Sequence, residues 1–207
     1  MVTRIAMPRP GSPRPAADAS TSLPGHSAPA AGFEEPFDML SACHERVERM
    51  LALLQRLLAH LDHSGWDASA AEAAQDVMRY FDLAAPLHHQ DEELHVFPIL
   101  LAAPDTTGML HGHIRRLQQD HRDMETGWPL ARAVLQRIRE PGPGPWQPLG
   151  TDELHTLQVF EGRYQQHMDI EEQHIYPATR QHISPAQHTA MALDMMQRRG
   201  VRLPARD

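Results

Sequence analysis

The chain has 207 residues, 41% of them hydrophobic, a formal net charge of −8 and 15 histidines. That length accommodates one ordinary domain with a real core, and no apolar run approaches the ~20 residues of a membrane span. All 19 basic residues are arginine, and an acidic chain without a basic cluster argues against nucleic acid and anionic membrane as partners. The single cysteine, Cys43, excludes an internal disulfide framework and fits a reducing compartment. With no apolar segment following the N-terminal arginines, the expected location is cytoplasmic.

In chain order, residues 1–35 are rich in Pro, Ala and Ser and lack apolar periodicity, so they are read as a disordered tail. From Pro36 onward, Phe37, Leu40, Val47, Leu51, Leu54, Leu58 and Leu61 recur at helical spacing. They predict a first helix over about 36–63 that ends at Gly65. Ser69 with Glu72 is a capping-box signal for a second helix, and Asp67 is an alternative cap. This helix runs to about 102, with kinks expected at Pro86 and near Pro98. A third helix follows over about 109–139, with a disturbance expected at Gly127 and Pro129. The Pro141-Gly142-Pro143-Gly144-Pro145 run is a loop. Thr151 or Asp152 should cap a fourth helix, about 152–182, and Ser184-Pro185 opens a short fifth within 184–207. No segment reads as a strand. The fold class is therefore all-α, an up-down-up-down four-helix bundle over 36–183 with a short fifth C-terminal helix.

The chemistry lies in a repeat. His88-His89-Gln90-Asp91-Glu92-Glu93-Leu94-His95-Val96-Phe97-Pro98 returns as His167-Met168-Asp169-Ile170-Glu171-Glu172-Gln173-His174-Ile175-Tyr176-Pro177. At about 100° per residue, the first His, the Glu four later and the His seven later lie within roughly 60° on a helix. Phe81 and Phe160 keep the same 79-residue offset, and His44 and His121 repeat at 77 residues. Two versions of one helical hairpin then turn one histidine per helix, His44, His88, His121 and His167, into the bundle centre. Glu92 and Glu171 sit one turn beyond two of them. Burying four imidazoles and two carboxylates without a metal would leave costly unpaired polar groups, so these six are the candidate metal ligands.

The pattern H…H-x-x-x-E-E-x-x-[FY]-P…D-H…H-x-x-x-E-E-x-x-[FY]-P resembles the hemerythrin-like (HHE cation-binding) family over residues 37–183. The resemblance implies that His44, His88, His121 and His167 are the one-per-helix ligands of two non-haem irons. It makes Glu92 and Glu171 their bridging carboxylates. It also implies binding of O₂, NO or peroxide, or iron handling. Oxygen-carrier members have another histidine four residues before the third-helix ligand, where this chain has Leu117. The four-His, two-Glu set is closer to the iron-centre repair branch, whose N-terminal cysteine segment has no counterpart in this Cys-free N-terminus. Two histidines, two shared carboxylates and a solvent-derived bridge give each iron five ligands and leave one octahedral position open.

A second ligand set can be written from the same residues. His95 and His174 form Glu-x-x-His pairs with Glu92 and Glu171, and Glu48 and Glu125 lie four residues after His44 and His121. This is the scheme of a ferritin-like di-iron redox bundle that oxidises iron or consumes peroxide. It ranks second because it strands the four repeat-related histidines. His95 and His174 are then expected beside the bridging carboxylates as hydrogen-bonding partners, and Glu48 and Glu125 as solvated flanks. His60, His63 and His89 are assigned to the surface or helix flank. Cys43 is read as a small buried residue, and Phe81, Phe97, Phe160 and Tyr176 as core wall. No flavin, nicotinamide or rubredoxin-type cysteine motif is present, which favours binding over turnover.

Overall fold

The computed structural model describes residues 34–201; the predicted disordered tail lies almost wholly outside these residues. Its elements are α1 (Pro36–Ser64), α2 (Ala68–Asp91), α3 (Phe97–Ala102), α4 (Met109–Arg139), α5 (Thr151–Ile170), α6 (Tyr176–His182) and α7 (Pro185–Arg198). Two five-residue π turns, Glu92–Val96 and Glu171–Ile175, join α2 to α3 and α5 to α6. There is no strand among the described residues. Short connections make successive long helices antiparallel neighbours, so α1, α2–α3, α4 and α5–α6 form the four-helix bundle and α7 closes one end.

Local signals set the ends. Pro36 starts α1, and Gly65, at φ 78°, returns its N–H to the Leu61 carbonyl in a conformation that a side chain would strain. Asp67, not Ser69, caps α2 by accepting the Ala70 N–H at 2.9 Å. At α5 the cap is Gly150, not Thr151 or Asp152, with Glu153 accepting the Gly150 N–H at 2.8 Å. Ser184 and Gln187 form the capping box that opens α7. The helices run continuously through Pro86 and Pro129.

The π turns differ from the simple kink expected near Pro98 and interrupt a fourth helix predicted as unbroken. Each immediately precedes a proline, Pro98 or Pro177, which lacks an N–H and would collide with the carbonyl four residues back. Shifting to i→i−5 bonding, with the Phe97 N–H on the Glu92 carbonyl and the Tyr176 N–H on that of Glu171, widens the turn and relieves the clash.

The core is two apolar clusters separated by a polar layer. One cluster includes Leu54, Val77, Phe81, Leu135, Leu157 and Phe160. The other includes Phe37, Leu40, Phe97, Leu117, Tyr176 and Met195. Along α1 the order is Leu40, His44, Val47, and along α4 it is Leu117, His121, Met124, all of them buried. Each fully buried Leu, Ile or Phe stabilises the fold by about 1.5–3 kcal/mol, so clusters above and below can sustain a polar layer that is unfavourable by itself.

Candidate metal centre

That layer contains all six candidate ligands. His44, His88, His121 and His167 are buried, and the side chains of Glu92 and Glu171 have no solvent exposure. Each long helix contributes one imidazole. The two carboxylates come from the first residue of each π turn, one helical turn past His88 and His167.

Distances divide the layer into two halves. In one, His44 Nε2 lies 3.0 Å from His88 Nε2 and 3.1 Å from Glu171 Oε2, and His88 Nε2 lies 3.4 Å from Glu92 Oε1. In the other, His121 Nε2 lies 3.2 Å from His167 Nε2 and 3.4 Å from Glu92 Oε2, with His167 Nε2 3.1 Å from Glu171 Oε1. Both carboxylates thus reach both halves, one oxygen to each. The donor atoms of His44, His88, Glu92 and Glu171 lie within 4.8 Å of one another, as do those of Glu92, His121, His167 and Glu171.

These residues fit a pair of cations. Glu92 Oε2 and both oxygens of Glu171 are buried without a hydrogen bond of acceptable geometry, although imidazole nitrogens are near. The atoms converge on common points instead of aiming at one another. A buried carboxylate oxygen left in that state is costly, and a bound cation satisfies it.

A second set of carboxylates fixes the histidine tautomers. Glu172 Oε1 lies 2.8 Å from His44 Nδ1, and Glu93 Oε1 lies 3.0 Å from His121 Nδ1. A carboxylate only accepts, so Nδ1 carries the proton and Nε2 offers its lone pair to the centre. Ser41 and Gln118, also 77 residues apart, hold these carboxylates at 3.1 and 2.8 Å. The sequence reading passed over Glu93 and Glu172. Their signal was the doubled glutamate in both copies of the motif.

The charges are strongly coupled. Burial pushes the His44 imidazole down, but Glu171 and Glu172 overcome it and raise His44 to about 9. His167, also opposed by burial, is raised to about 10 by Glu171 and Asp120. Burial and the neighbouring His44 hold His88 well below its ordinary value. Burial and the charge of Glu171 raise Glu92; Glu171 is held well below its ordinary value, because His167 and His44 outweigh its burial. Without metal, protons occupy the places that cations would take.

Three residues stand elsewhere than expected. His95 bonds to Asp194 of α7 at 2.7 Å, and His174 is exposed with its ring 4.9 Å from that of His113. Neither lies beside Glu92 or Glu171, because the wider π turn advances less per residue and rotates both off the face that a straight helix would give them. His89, assigned to a flank, is half-buried and stacks on His121 with centroids 4.1 Å apart at 16°. Glu48 and Glu125 are exposed, as expected, so the ferritin-like ligand set is not assembled. Tyr176 is more than wall: it stacks on His44 at 5.5 Å and donates its phenol hydrogen to Glu92 Oε1. Cys43 is buried, and its carbonyl accepts the Tyr80 hydroxyl at 3.0 Å.

A bundle that turns one imidazole from each of four helices and two carboxylates into a single buried layer is a cation-binding helical bundle. The sequence profile of the hemerythrin HHE cation-binding domain matches residues 35–179. The chain belongs to that family. It is also 31% identical over 173 residues to a Haemophilus influenzae protein named only as uncharacterized, an alignment covering 83% of this chain and 94% of the relative. No helix among the described residues is long and apolar enough to cross a membrane.

Proposed function

We propose that the chain is a cytoplasmic, non-haem di-iron protein of hemerythrin type that binds or senses O₂, NO or peroxide, or handles iron, at a carboxylate-bridged centre. The observation that carries this reading is the reach of Glu92 and Glu171 to both pairs of histidines. His44 and His88 would hold one ion, and His121 and His167 the other. A set of imidazoles and carboxylates suits iron and leaves each ion short of six protein ligands. Bound there, iron supplies a redox-active Lewis acid with room for a small exogenous ligand.

The chain's own residues do the rest. Glu93 and Glu172 keep His121 and His44 in the ligating tautomer. Phe97 stacks on His121 at 5.6 Å and Tyr176 on His44, which keeps water from that side of the layer. Arginines on α7 lie against Asp91, the residue before Glu92, so α7 secures the end of the helix that presents the carboxylate.

The test is iron analysis with visible spectroscopy in the presence and absence of azide and NO. Two irons per chain and a charge-transfer band that shifts with either ligand are expected. Glu92→Ala and Glu171→Ala should each lose the dinuclear signal. A preference for another metal, or an iron spectrum indifferent to azide, NO and peroxide, would contradict the reading.

A further inference from the structure

Beside the polar layer, between α2, α4 and α5, lies a cavity of about 400 Å³. Its wall is apolar and mainly aromatic: Phe81, Ala85, Met124, Trp128 and Tyr164, with the imidazole of His89 at the end nearest the centre. His89 stands between this space and the layer, its ring 4.1 Å from that of His121 and 5.9 Å from that of His167. The volume lies within the range of small-molecule sites and far exceeds what a diatomic molecule fills.

The repeat shows that this space is not imposed by the scaffold. At the positions 79 residues later, Ala85 is replaced by Tyr164 and His89 by Met168, both large and buried. One half of the molecule thus puts bulk where the other has a methyl group and an imidazole. A space bounded by rings that pack edge-on and tilted against each other offers flat apolar surfaces to a flat guest. Glu93, Arg122 and Glu125 at its margin carry charges of both signs, which disfavours a strongly charged guest.

From this we infer that the cavity is a binding site for a small neutral aromatic molecule bearing one hydrogen-bonding group, its ring against Phe81, Trp128 and Tyr164 and its polar group on His89. The guest would lie next to the His121–His167 half of the layer and not the half covered by Tyr176. The inference rests on the proposed function only for what happens to the guest, and not for its binding.

The probes are indole and indene, which share a shape and differ in one N–H. Binding is measured by calorimetry on metal-free, zinc-loaded and iron-loaded full-length protein, so that failure of the iron reading does not obscure the result. Saturable one-to-one binding of indole below ~1 mM is expected in all three forms. Indene should bind roughly tenfold more weakly, and His89→Phe should remove that difference. Ala85→Phe fills the space and should abolish binding while metal content and melting temperature stay at wild-type values. If Ala85→Phe does not fold, Trp128→Ala replaces it and should weaken indole at least about fivefold through lost stacking. No saturable binding by the wild-type protein would overturn the inference. So would unchanged affinity in a folded Ala85→Phe or Trp128→Ala.

Discussion

Tyr176 donates its phenolic hydrogen to Oε1 of Glu92, 84 residues earlier in the chain. At the repeat-related position Phe97 has no hydroxyl, so Glu171 receives no matching bond. The two carboxylates are therefore held differently although the scaffold around them is duplicated. Tyr176→Phe would make the halves alike and leave a buried oxygen of Glu92 with one partner fewer. The expected cost to the metal-free protein is about 1–3 kcal/mol, read from urea unfolding. A change indistinguishable from zero would remove the bond from the account.

The outer carboxylates should behave as a matched pair. Glu93→Gln and Glu172→Gln each replace an acceptor-only group with an amide that no longer dictates the imidazole tautomer. Each should weaken metal affinity by about 10–100-fold, measured by chelator competition, without changing the number of ions bound. An effect confined to one of the two would break the symmetry argued from Ser41 and Gln118.

Metal loading should release protons. In the metal-free protein His44 and His167 are raised from an ordinary value of 6.5 to about 9 and about 10. Their contribution to stability is full below about pH 6.5 and is lost as pH rises through about 9 and about 10. At neutral pH both carry protons that a cation must displace. Apparent metal affinity should therefore strengthen from pH 6.5 to 8.5, while the metal-free fold loses stability only at higher pH. Chelator competition across that range, with a pH-indicator dye in weak buffer, checks both signs. Affinity independent of pH would contradict the protonated resting state.

Asp91 should decide whether α7 stays docked. Its carboxylate is fully buried, 2.5 Å from an Arg198 nitrogen and 2.6 Å from one of Arg199, and Arg198 also reaches Asp194 at 2.8 Å. Asp91→Ala would leave two largely buried guanidinium groups facing an empty position, at a cost of about 3–5 kcal/mol. Hydrogen exchange should then rise across Pro185–Arg198 before it rises in α1. Uniform exchange across the bundle would place the effect elsewhere.

Much of this was legible in the chain. Apolar spacing around His44 and His121 located the helices, and the 79-residue repeat singled out the six residues that share the buried layer. The π turns were not legible, because periodicity records which face is apolar and not whether a backbone N–H bonds four or five residues back. Only Pro98 and Pro177 hinted at them. That change of pitch moved His95 and His174 off the centre. His89 was missed for a related reason: angular offset on a single helix does not say what a neighbouring helix brings against it, and here α4 brings His121. Tyr176 was recognised as a ring, but a ring's apolar periodicity says nothing about its hydroxyl. The cap at Asp67 turned on one hydrogen bond that a competing Ser69–Glu72 signature obscured.

The central claim is that four histidines and two shared carboxylates hold two irons. Diffraction from iron-loaded crystals on either side of the iron absorption edge tests it most directly. The account expects two anomalous peaks, one between His44 and His88 and one between His121 and His167, with Glu92 and Glu171 spanning both. A single peak, or peaks beside His95 or His174 in place of these, would contradict it.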